Sequence, residues 1–312
     1  MIKTWQQDLP HGISLSCRAC GERGRPVLMF LHGFPEAAFA WDALLAHFAR
    51  PENGGFRCVA PNLRGYERSS APTDVKAYRA KHLVQDIVAL MDAECGAGQP
   101  VAALVAHDWG GALAWNLANQ HPGRLHRLVI INSPHPGTFL RELQHNPAQQ
   151  AASAYMNFLI RPDAAALLAA DGYARLFGFF EKMGAASAPG SPGAPIGAGW
   201  LTGALRAQYR AVWDQGLDGG LNYYRASPLR PATGSDPAAS AVSLPPEALR
   251  VEVPTLVLWA QDDVALLPSL CDGLQDHVPE LRLVPLPQAT HWVVHEQPAR
   301  VIAEIAAFLG PQ

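Results

Sequence analysis

The sequence predicts an α/β protein in which a mostly parallel sheet is flanked by helices and interrupted by an all-helical insertion. In the first half, short apolar runs alternate with longer helix-like stretches, and the same alternation resumes after about residue 250. The region between them has helical segments but no convincing strands. The 312 residues are enough for one large domain that carries a second unit. We therefore expect a core formed by residues 1–133 and 250–312 and an inserted helical unit at 134–249.

Predicted elements of the core follow from the length of each apolar run and from the turn residues that bound it. The predicted strands are Ile13 to Arg18, Val27 to Leu31, Arg57 to Ala60, Val101 to Ala106, Arg127 to Asn132, Thr255 to Trp259 and Arg282 to Pro285. The predicted helices are Ala37 to Ala49, Tyr78 to Glu94, Gly110 to Gln120, Pro268 to Asp276 and Pro298 to Leu309.

The insertion is predicted to be helical and punctuated by loops. Its predicted helices are Ala148 to Leu159, Asp163 to Leu168, Tyr173 to Lys182 and Leu201 to Trp213. Two stretches rich in Ala, Gly, Pro and Ser, Gly184 to Gly199 and Ser227 to Pro246, are predicted loops. The segment from Ser133 to Pro136 is interpreted as the hinge turn that leads into the insertion.

Composition excludes several classes of function. With 49% hydrophobic and 16% charged residues, the chain is globular rather than disordered. A formal charge of −3 leaves no basic excess to neutralise a phosphate backbone, so nucleic acid is not an expected partner. No apolar run reaches the length of a membrane span, and residues 1–10 lack the apolar centre of a secretory signal. We expect a soluble, cytoplasmic protein, either a monomer or a homodimer.

Cofactor and metal signals are absent from the sequence. The odd number of cysteines, five, argues against a disulfide framework, and the CxxC of Cys17 and Cys20 has no second CxxC or histidine pair nearby. His291 and His295 are four residues apart, but no third metal ligand accompanies them. Neither GxGxxG nor GxxxxGK[ST] occurs. We expect no metal and no cofactor.

The most informative segment is VAALVAHDWGG, residues 101–111, in which an apolar strand runs through small residues into a helix. This is the context of a nucleophile elbow, a strained turn that needs small residues two positions before and after the nucleophile. Ala106 and Gly110 meet that requirement around Asp108. A carboxylate in this position attacks saturated carbon and forms an alkyl ester. The alternative is that Asp108 only caps the following helix.

Three further segments follow predicted strands. HGFPE, after the strand that ends at Leu31, is a turn whose backbone N–H groups would face the elbow. With the N–H of Trp109, the N–H of Phe34 would form an oxyanion hole, although Gly and Pro also mark ordinary turns. WAQDD and THW follow the last two predicted strands. There Asp263 would orient the ring of His291, which would take a proton from water; a plain turn and a surface histidine are the alternatives.

The segments HGFPE, AHDWGG, WAQDD and THW resemble the α/β-hydrolase superfamily, in particular its Asp-nucleophile branch of epoxide hydrolases and haloalkane dehalogenases. The resemblance covers nearly the whole chain. It implies an eight-stranded, mostly parallel sheet with the insertion as a helical cap. It makes Asp108 the nucleophile and His291 the base, and it places the acid at Asp263 rather than Asp262.

The leaving group separates the two branches. An epoxide leaves as an alkoxide and needs a proton donor, whereas a halide leaves as an anion. NYYR near the end of the insertion resembles the epoxide hydrolase segment with the ring-opening tyrosine, which maps to Tyr224, and AYM resembles the position of its partner, which gives Tyr155. Phenols are protonated at neutral pH and can donate, although most tyrosines are packing residues.

The resemblance therefore favours epoxide hydrolysis of a small apolar substrate to a vicinal diol through a covalent ester intermediate. Haloalkane or haloacid dehalogenation is the alternative, because Trp109 is shared with haloalkane dehalogenases. Those enzymes typically carry Asn or Glu where this chain has Phe34, and the insertion lacks the His-Trp pair of fluoroacetate dehalogenases. A non-catalytic small-molecule receptor on the same fold is a third hypothesis.

Overall fold

Eight strands form a single sheet in the computed structural model, which describes residues 1–185 and 196–310. The strands pair in the order β1-β2-β4-β3-β5-β6-β7-β8. Their bounds are β1 Lys3–Asp8, β2 Ser14–Cys20, β3 Val27–Leu31, β4 Arg57–Pro61, β5 Ala103–His107, β6 Leu128–Ile131, β7 Thr255–Ala260 and β8 Leu281–Leu286.

The sheet is parallel from β4 to β8, and only β1 and β2 run antiparallel to their neighbours. Strands β3 to β7 are completely buried, which explains their continuous apolar sequences. Because the parallel strands all end at the same edge, the segments that follow β3, β5, β6, β7 and β8 meet there. The predicted fold, including the eight-stranded mostly parallel sheet, is confirmed.

Strand β1 was not among the predicted strands. Its sequence, KTWQQD, has one large apolar residue, and its burial pattern is mostly exposed because it lies at the edge of the sheet. It pairs with β2 along its whole length, from Lys3 opposite Ala19 to Asp8 opposite Ser14. The backbone ladder with β2, rather than side-chain burial, defines this strand, and the sequence carries no signal for it.

Helices cover both faces of the sheet, and the six from α4 to α9 lie between β6 and β7 in the chain. Their bounds are α1 Asp42–Phe48, α2 Ala80–Cys95, α3 Trp109–Gln120, α4 Pro136–His145, α5 Pro147–Ala152, α6 Tyr155–Leu159, α7 Ala164–Phe180, α8 Gly203–Trp213, α9 Asp218–Ala226, α10 Val293–Glu296 and α11 Pro298–Leu309. Short 3-10 turns at Ala38–Trp41, Pro51–Asn53, Val75–Tyr78, Pro122–Arg124, Ala238–Ala241 and Pro246–Ala248 connect elements.

Strand β3 illustrates how the two faces of the sheet are packed. Met29 and Leu31 belong to the apolar cluster that contains residues of α2 and α3, whereas Leu28 and Phe30 belong to the cluster that contains residues of α1 and α11. Alternate residues therefore serve opposite layers, and the sheet is the middle of a three-layer core.

Several predicted helix bounds were wrong. The predicted helix from Pro268 to Asp276 is two 3-10 turns, Pro268–Cys271 and Leu274–Asp276, because Gly273 between them has a φ of 73°. The predicted helix from Ala148 to Leu159 is divided into α5 and α6. Two helical predictions merge into α7, whose backbone departs from helical angles at Ala170–Tyr173.

Two helices of the insertion were missed. The hinge turn predicted up to Pro136 is instead the start of α4, with Pro136 as its first residue and the Nδ1 atom of His135 accepting a hydrogen bond from the N–H of Gly137. Helix α9 was also not predicted, although it carries Tyr224. Within the described part of 134–249 there is no strand, and the predicted loop Gly184 to Gly199 lies mostly outside the described residues.

Among residues 1–185 and 196–310, no helix is both long and apolar enough to cross a membrane. The five cysteines, all of them described, are unpaired thiols. Burial raises the pKa of Cys17 and Cys58, so these thiols are inert packing groups.

Candidate active site

Asp108 stands at a sharp turn between β5 and α3. Its φ of 50° and ψ of −122° are outside the regions that side-chain-bearing residues favour, so the backbone there is strained. The side chain of Asp108 is 13% exposed. Within the described residues, this carboxylate accepts no capping hydrogen bond from α3, which argues against the capping interpretation.

The strained turn fits because its neighbours have no side chain. A Cβ atom on Gly33 would lie 2.3 Å from the Cβ and Oδ1 atoms of Asp108, and one on Gly110 would lie 2.4 Å from the carbonyl oxygen of Leu31. A Cβ atom on Gly111 would lie 2.3 Å from Cβ of Ser133. The Ser133 hydroxyl also donates a 2.7 Å hydrogen bond to the Asp108 carbonyl oxygen. Three segments therefore fix the turn.

One oxygen of this carboxylate is held by a backbone donor. The N–H of Phe34 donates a 2.7 Å hydrogen bond to Oδ1 of Asp108. Trp109 is the first residue of α3, so its N–H is one of the helix's N-terminal donors without an intrahelical acceptor. The positive end of the helix dipole favours a carboxylate at this point.

His291 and Asp263 face the other oxygen. The Nδ1 atom of His291 donates to Oδ2 of Asp263 at 2.7 Å, and its Nε2 atom lies 3.8 Å from Oδ2 of Asp108. Asp263 is completely buried, whereas Asp262 is exposed and only its backbone is bonded, to the carbonyl oxygen of Ala289. The structure thus brings Asp108, His291 and Asp263 together and leaves Asp262 outside.

The orientation of Asp263 depends on a residue that the sequence interpretation missed. Asn132, just after β6, donates a 2.8 Å hydrogen bond to Oδ2 of Asp263, while its own side-chain oxygen accepts from the N–H of Ala260. The N–H groups of Ala265 and Leu266 donate to Oδ1 of Asp263. Burial alone would raise the pKa of Asp263, but the charge of His291 and these hydrogen bonds outweigh burial and lower it. Asp263 is therefore an anion.

The same pair controls the charge of His291. Burial of the ring favours its neutral form, but the carboxylates of Asp263, Asp108 and Glu36 outweigh burial and raise the pKa of His291 to about 9. At neutral pH the ring is therefore an imidazolium between two carboxylates. Removal of the charge on Asp108 would lower this pKa again.

Glu36, the last residue of HGFPE, is the centre of a buried polar cluster behind His291. Its Oε1 atom is 2.5 Å from Nε2 of His295 and accepts a 2.8 Å hydrogen bond from the hydroxyl of Tyr209. Its Oε2 atom is 3.3 Å from Nδ1 of His107, whose Nε2 atom donates to the carbonyl oxygen of His291 at 2.9 Å. Burial opposes ionisation of Glu36, but the histidines hold its pKa well below the usual range. The carboxylate of Glu36 is one of the charges that raise the pKa of His291.

A second missed carboxylate, Glu296, orders the loop before His291. Its two oxygens accept hydrogen bonds from the N–H and the hydroxyl of Thr290 at 2.8 and 2.6 Å. Because Thr290 precedes His291 directly, this pair fixes the backbone that presents the ring. Asn132 and Glu296 belong to no motif, whereas Glu36 is the last residue of HGFPE but was assigned no role. Each follows a strand that ends at the same edge, and that position was the available signal.

Tyr155 on α6 and Tyr224 on α9 face Asp108 across a cavity of about 320 Å³. Their ring centroids are 6.3 Å apart, and that of Tyr224 is 5.3 Å from the ring of Phe34 and 4.9 Å from that of Trp109. Burial is the main cause that raises the pKa of both phenols well above the ordinary value, and the charge of Asp108 adds to it. Both hydroxyls are therefore protonated donors.

The neighbouring tyrosine has a different environment. Tyr223 also lines the cavity, but its hydroxyl donates a 2.9 Å hydrogen bond to the carbonyl oxygen of Arg64. His135 packs against His277 with ring centroids 4.6 Å apart and does not line the cavity within the described residues. No group of three or more metal-ligating side chains occurs within residues 1–185 and 196–310.

The comparisons with known proteins agree with this architecture. Residues 26–298 match the family described as alpha/beta hydrolase fold. The AB hydrolase superfamily protein YfhM of Bacillus subtilis is 30% identical over 305 residues, which cover 97% of this chain and 96% of that protein. The chain therefore belongs to the α/β-hydrolase superfamily, and the predicted membership is confirmed.

Three further similar proteins carry a more specific name. Epoxide hydrolase 4 of Mus musculus is 30% identical over 302 residues, which cover 96% of this chain and 77% of that protein. The structure of a Bacillus megaterium epoxide hydrolase in complex with an inhibitor superposes with a TM-score of 0.83 at 28% identity, covering 98% of this chain and 99% of that one. An epoxide hydrolase from hot-environment metagenomes gives 0.82 at 36% identity over the full length of both chains. These three similar proteins are thus named epoxide hydrolases, whereas YfhM is named only for the superfamily.

Proposed function

We propose that this protein hydrolyses epoxides to vicinal diols through an ester formed on Asp108. The observation that carries the proposal is that the two oxygens of this carboxylate have different neighbours. Oδ1 accepts the hydrogen bond from the N–H of Phe34, whereas Oδ2 is turned toward His291. The names of the similar proteins support the same reaction.

In the first step, Oδ2 of Asp108 attacks one carbon of the epoxide, and the bond from that carbon to the ring oxygen breaks. The ring oxygen takes a proton from the hydroxyl of Tyr155 or Tyr224, since an alkoxide is a poor leaving group without one. A hydroxyalkyl ester of Asp108 results, and its carbonyl oxygen is Oδ1 in the site formed by the backbone N–H groups of Phe34 and Trp109.

In the second step, water attacks the carbonyl carbon of the ester. The ester has no charge at Asp108, so one of the influences that raise the pKa of His291 is lost. The ring then gives up its proton and becomes a neutral base, and the tyrosinate left by the first step takes a proton back. His291 takes a proton from the water while Asp263 balances the imidazolium. As the tetrahedral intermediate collapses, the imidazolium gives its proton to the departing alkoxide, which leaves as the diol. The new acid on Asp108, with one oxygen from water, returns its proton to His291 and becomes a carboxylate again.

We propose that residues 134–249 act as a cap that supplies the proton donors and covers the cavity. Tyr155 and Tyr224 both belong to this segment, whereas Asp108, Asp263 and His291 belong to the core segments 1–133 and 250–312. The cavity between them is lined mainly by apolar side chains, which suits a small apolar epoxide.

The test compares styrene oxide with a short bromoalkane. We expect diol from the epoxide and no bromide from the alkane. Bromide release without diol would favour the dehalogenase alternative, and binding of either compound without product would favour the receptor. Turnover in water enriched in the heavy oxygen isotope adds a mechanistic check, because repeated cycles should place heavy oxygen in the carboxylate of Asp108.

A further inference from the structure

Arg79 is one of two charged residues that line the cavity, and it is the exposed one. Among the described residues that line this cavity, only Asp108 and Arg79 are charged. Asp108 is mostly buried, whereas Arg79 and its neighbour Ala80 are exposed. The cavity therefore has a carboxylate at its inner end and a guanidinium at its rim, with apolar and neutral side chains between them.

The backbone at the rim is held in place. Tyr78, the residue before Arg79, is buried and packs edge-on against Tyr223 with ring centroids 5.7 Å apart. The carbonyl oxygen of Ala77 accepts a 2.8 Å hydrogen bond from the guanidinium of Arg64. The backbone next to Arg79 is thus fixed by buried neighbours, and Arg79 itself lines the cavity.

The guanidinium of Arg79 has no partner within residues 1–185 and 196–310: it makes neither a hydrogen bond nor an ion pair. Asp86, a nearby carboxylate, is already paired with Arg64 and His11. Burial and then the charges of Lys81 and Arg64 lower the pKa of His82; Asp86 opposes them and Arg79 adds to them. An anion from outside is the complement that this site lacks.

Resting on the proposed function, we infer that Arg79 binds the carboxylate of substrates in which an apolar chain separates a carboxylate from the epoxide ring. The arrangement also sets the direction of binding. The charge of Asp108 repels a carboxylate at the inner end, and Arg79 attracts it at the rim, so the epoxide enters first. Arg79 is then a specificity-determining residue for one class of epoxide.

The experiment uses the terminal epoxide of undecenoic acid and the methyl ester of the same compound, which differ in charge only at the far end. In Arg79→Gln, the KM of the carboxylate should rise about twofold to fivefold, as for an exposed charge pair, with little change in kcat. The KM of the methyl ester should not change. The rise in KM for the carboxylate should be smaller at high salt, because salt screens exposed charges.

Lys81→Gln is the matched control, since Lys81 lies close to Arg79 in the chain, carries the same charge and does not line the cavity. It should leave both KM values unchanged. Equal KM values for wild type and Arg79→Gln with the carboxylate, equal shifts for both substrates, or the same shift in Lys81→Gln would overturn the inference.

Binding of undecanoate and undecanamide, which cannot react, separates this inference from the proposed function. We expect wild type to bind undecanoate more tightly than the amide and Arg79→Gln to lose that preference. If the preference exists but neither epoxide is hydrolysed, the carboxylate site stands and the proposed function fails. If the methyl ester epoxide is hydrolysed but undecanoate shows no preference, the proposed function stands and the role of Arg79 is rejected.

Discussion

The Nε2 atom of His291 lies 3.8 Å from Oδ2 of Asp108, beyond hydrogen-bond distance. The separation leaves the two groups able to act in turn, first Asp108 on the substrate and then His291 on water. Substitution of His291 should therefore stop the second step and spare the first.

We predict that His291→Gln accumulates the ester. Turnover should fall by about 10²- to 10⁴-fold, since a positioned base is lost. Intact-mass spectrometry after incubation with styrene oxide should detect the protein plus one substrate mass. Asp108→Asn is the control and should give no adduct; an unmodified mass in His291→Gln would contradict the mechanism.

The two cavity tyrosines should act on the first step. In Tyr155→Phe and Tyr224→Phe, the rate of ester formation should fall by about 10²-fold or more, and the double variant should be slower still. Rapid-quench measurement of ester formation tests this. Tyr223→Phe is a matched control, because its hydroxyl is bonded to Arg64 and is not a proton donor in the mechanism. A loss in Tyr223→Phe equal to that in Tyr224→Phe would show that packing, not proton donation, is responsible.

Gly33→Ala should abolish activity without unfolding the protein. The added methyl group would occupy the position of the Asp108 side chain, 2.3 Å from its Cβ atom, so the nucleophile must move. Gly123→Ala is the control, because a Cβ atom there meets nothing within 4 Å among the described residues. Thermal denaturation and styrene oxide turnover, measured for both variants, test this. Full activity in Gly33→Ala would mean that the geometry around Asp108 is not needed.

Breakdown of the ester should speed up as the pH rises. His291 must be neutral to accept a proton, and the pKa of about 9 applies while Asp108 is charged. In the ester that charge is absent, so the apparent pKa of the breakdown step should lie below about 9. Single-turnover experiments at several pH values would measure it. A breakdown rate that falls as the pH rises would exclude His291 as the base.

Sequence alone predicted the parallel strands of the sheet because short, continuous apolar runs bounded by turn residues are typical of strands buried on both faces. It brought Asp108 and Asp263 to one edge for the same reason, since each follows such a strand. His291 follows β8, a partly exposed strand at the edge of the sheet that ends at the same side. Strand β1 was not predicted because it is polar and exposed, so only its pairing with β2 defines it.

Helix α9 was not predicted from the sequence for a different physical reason. Its first turn contains Gly219 and Gly220, which disfavour a helix by intrinsic propensity. The structure needs the first of them, because a Cβ atom on Gly219 would lie 2.3 Å from the carbonyl oxygen of Gly65. Asn132 and Glu296 were missed because their roles depend on which side chains the fold brings beside them.

Phe34 joins the two halves of the site. Its N–H binds Asp108 and its ring contacts Tyr224. If α9 moved away from the sheet, Tyr224 would leave the site and Phe34 would lose a ring that packs against it. The position of the proposed proton donor and that of the nucleophile are therefore coupled through one residue.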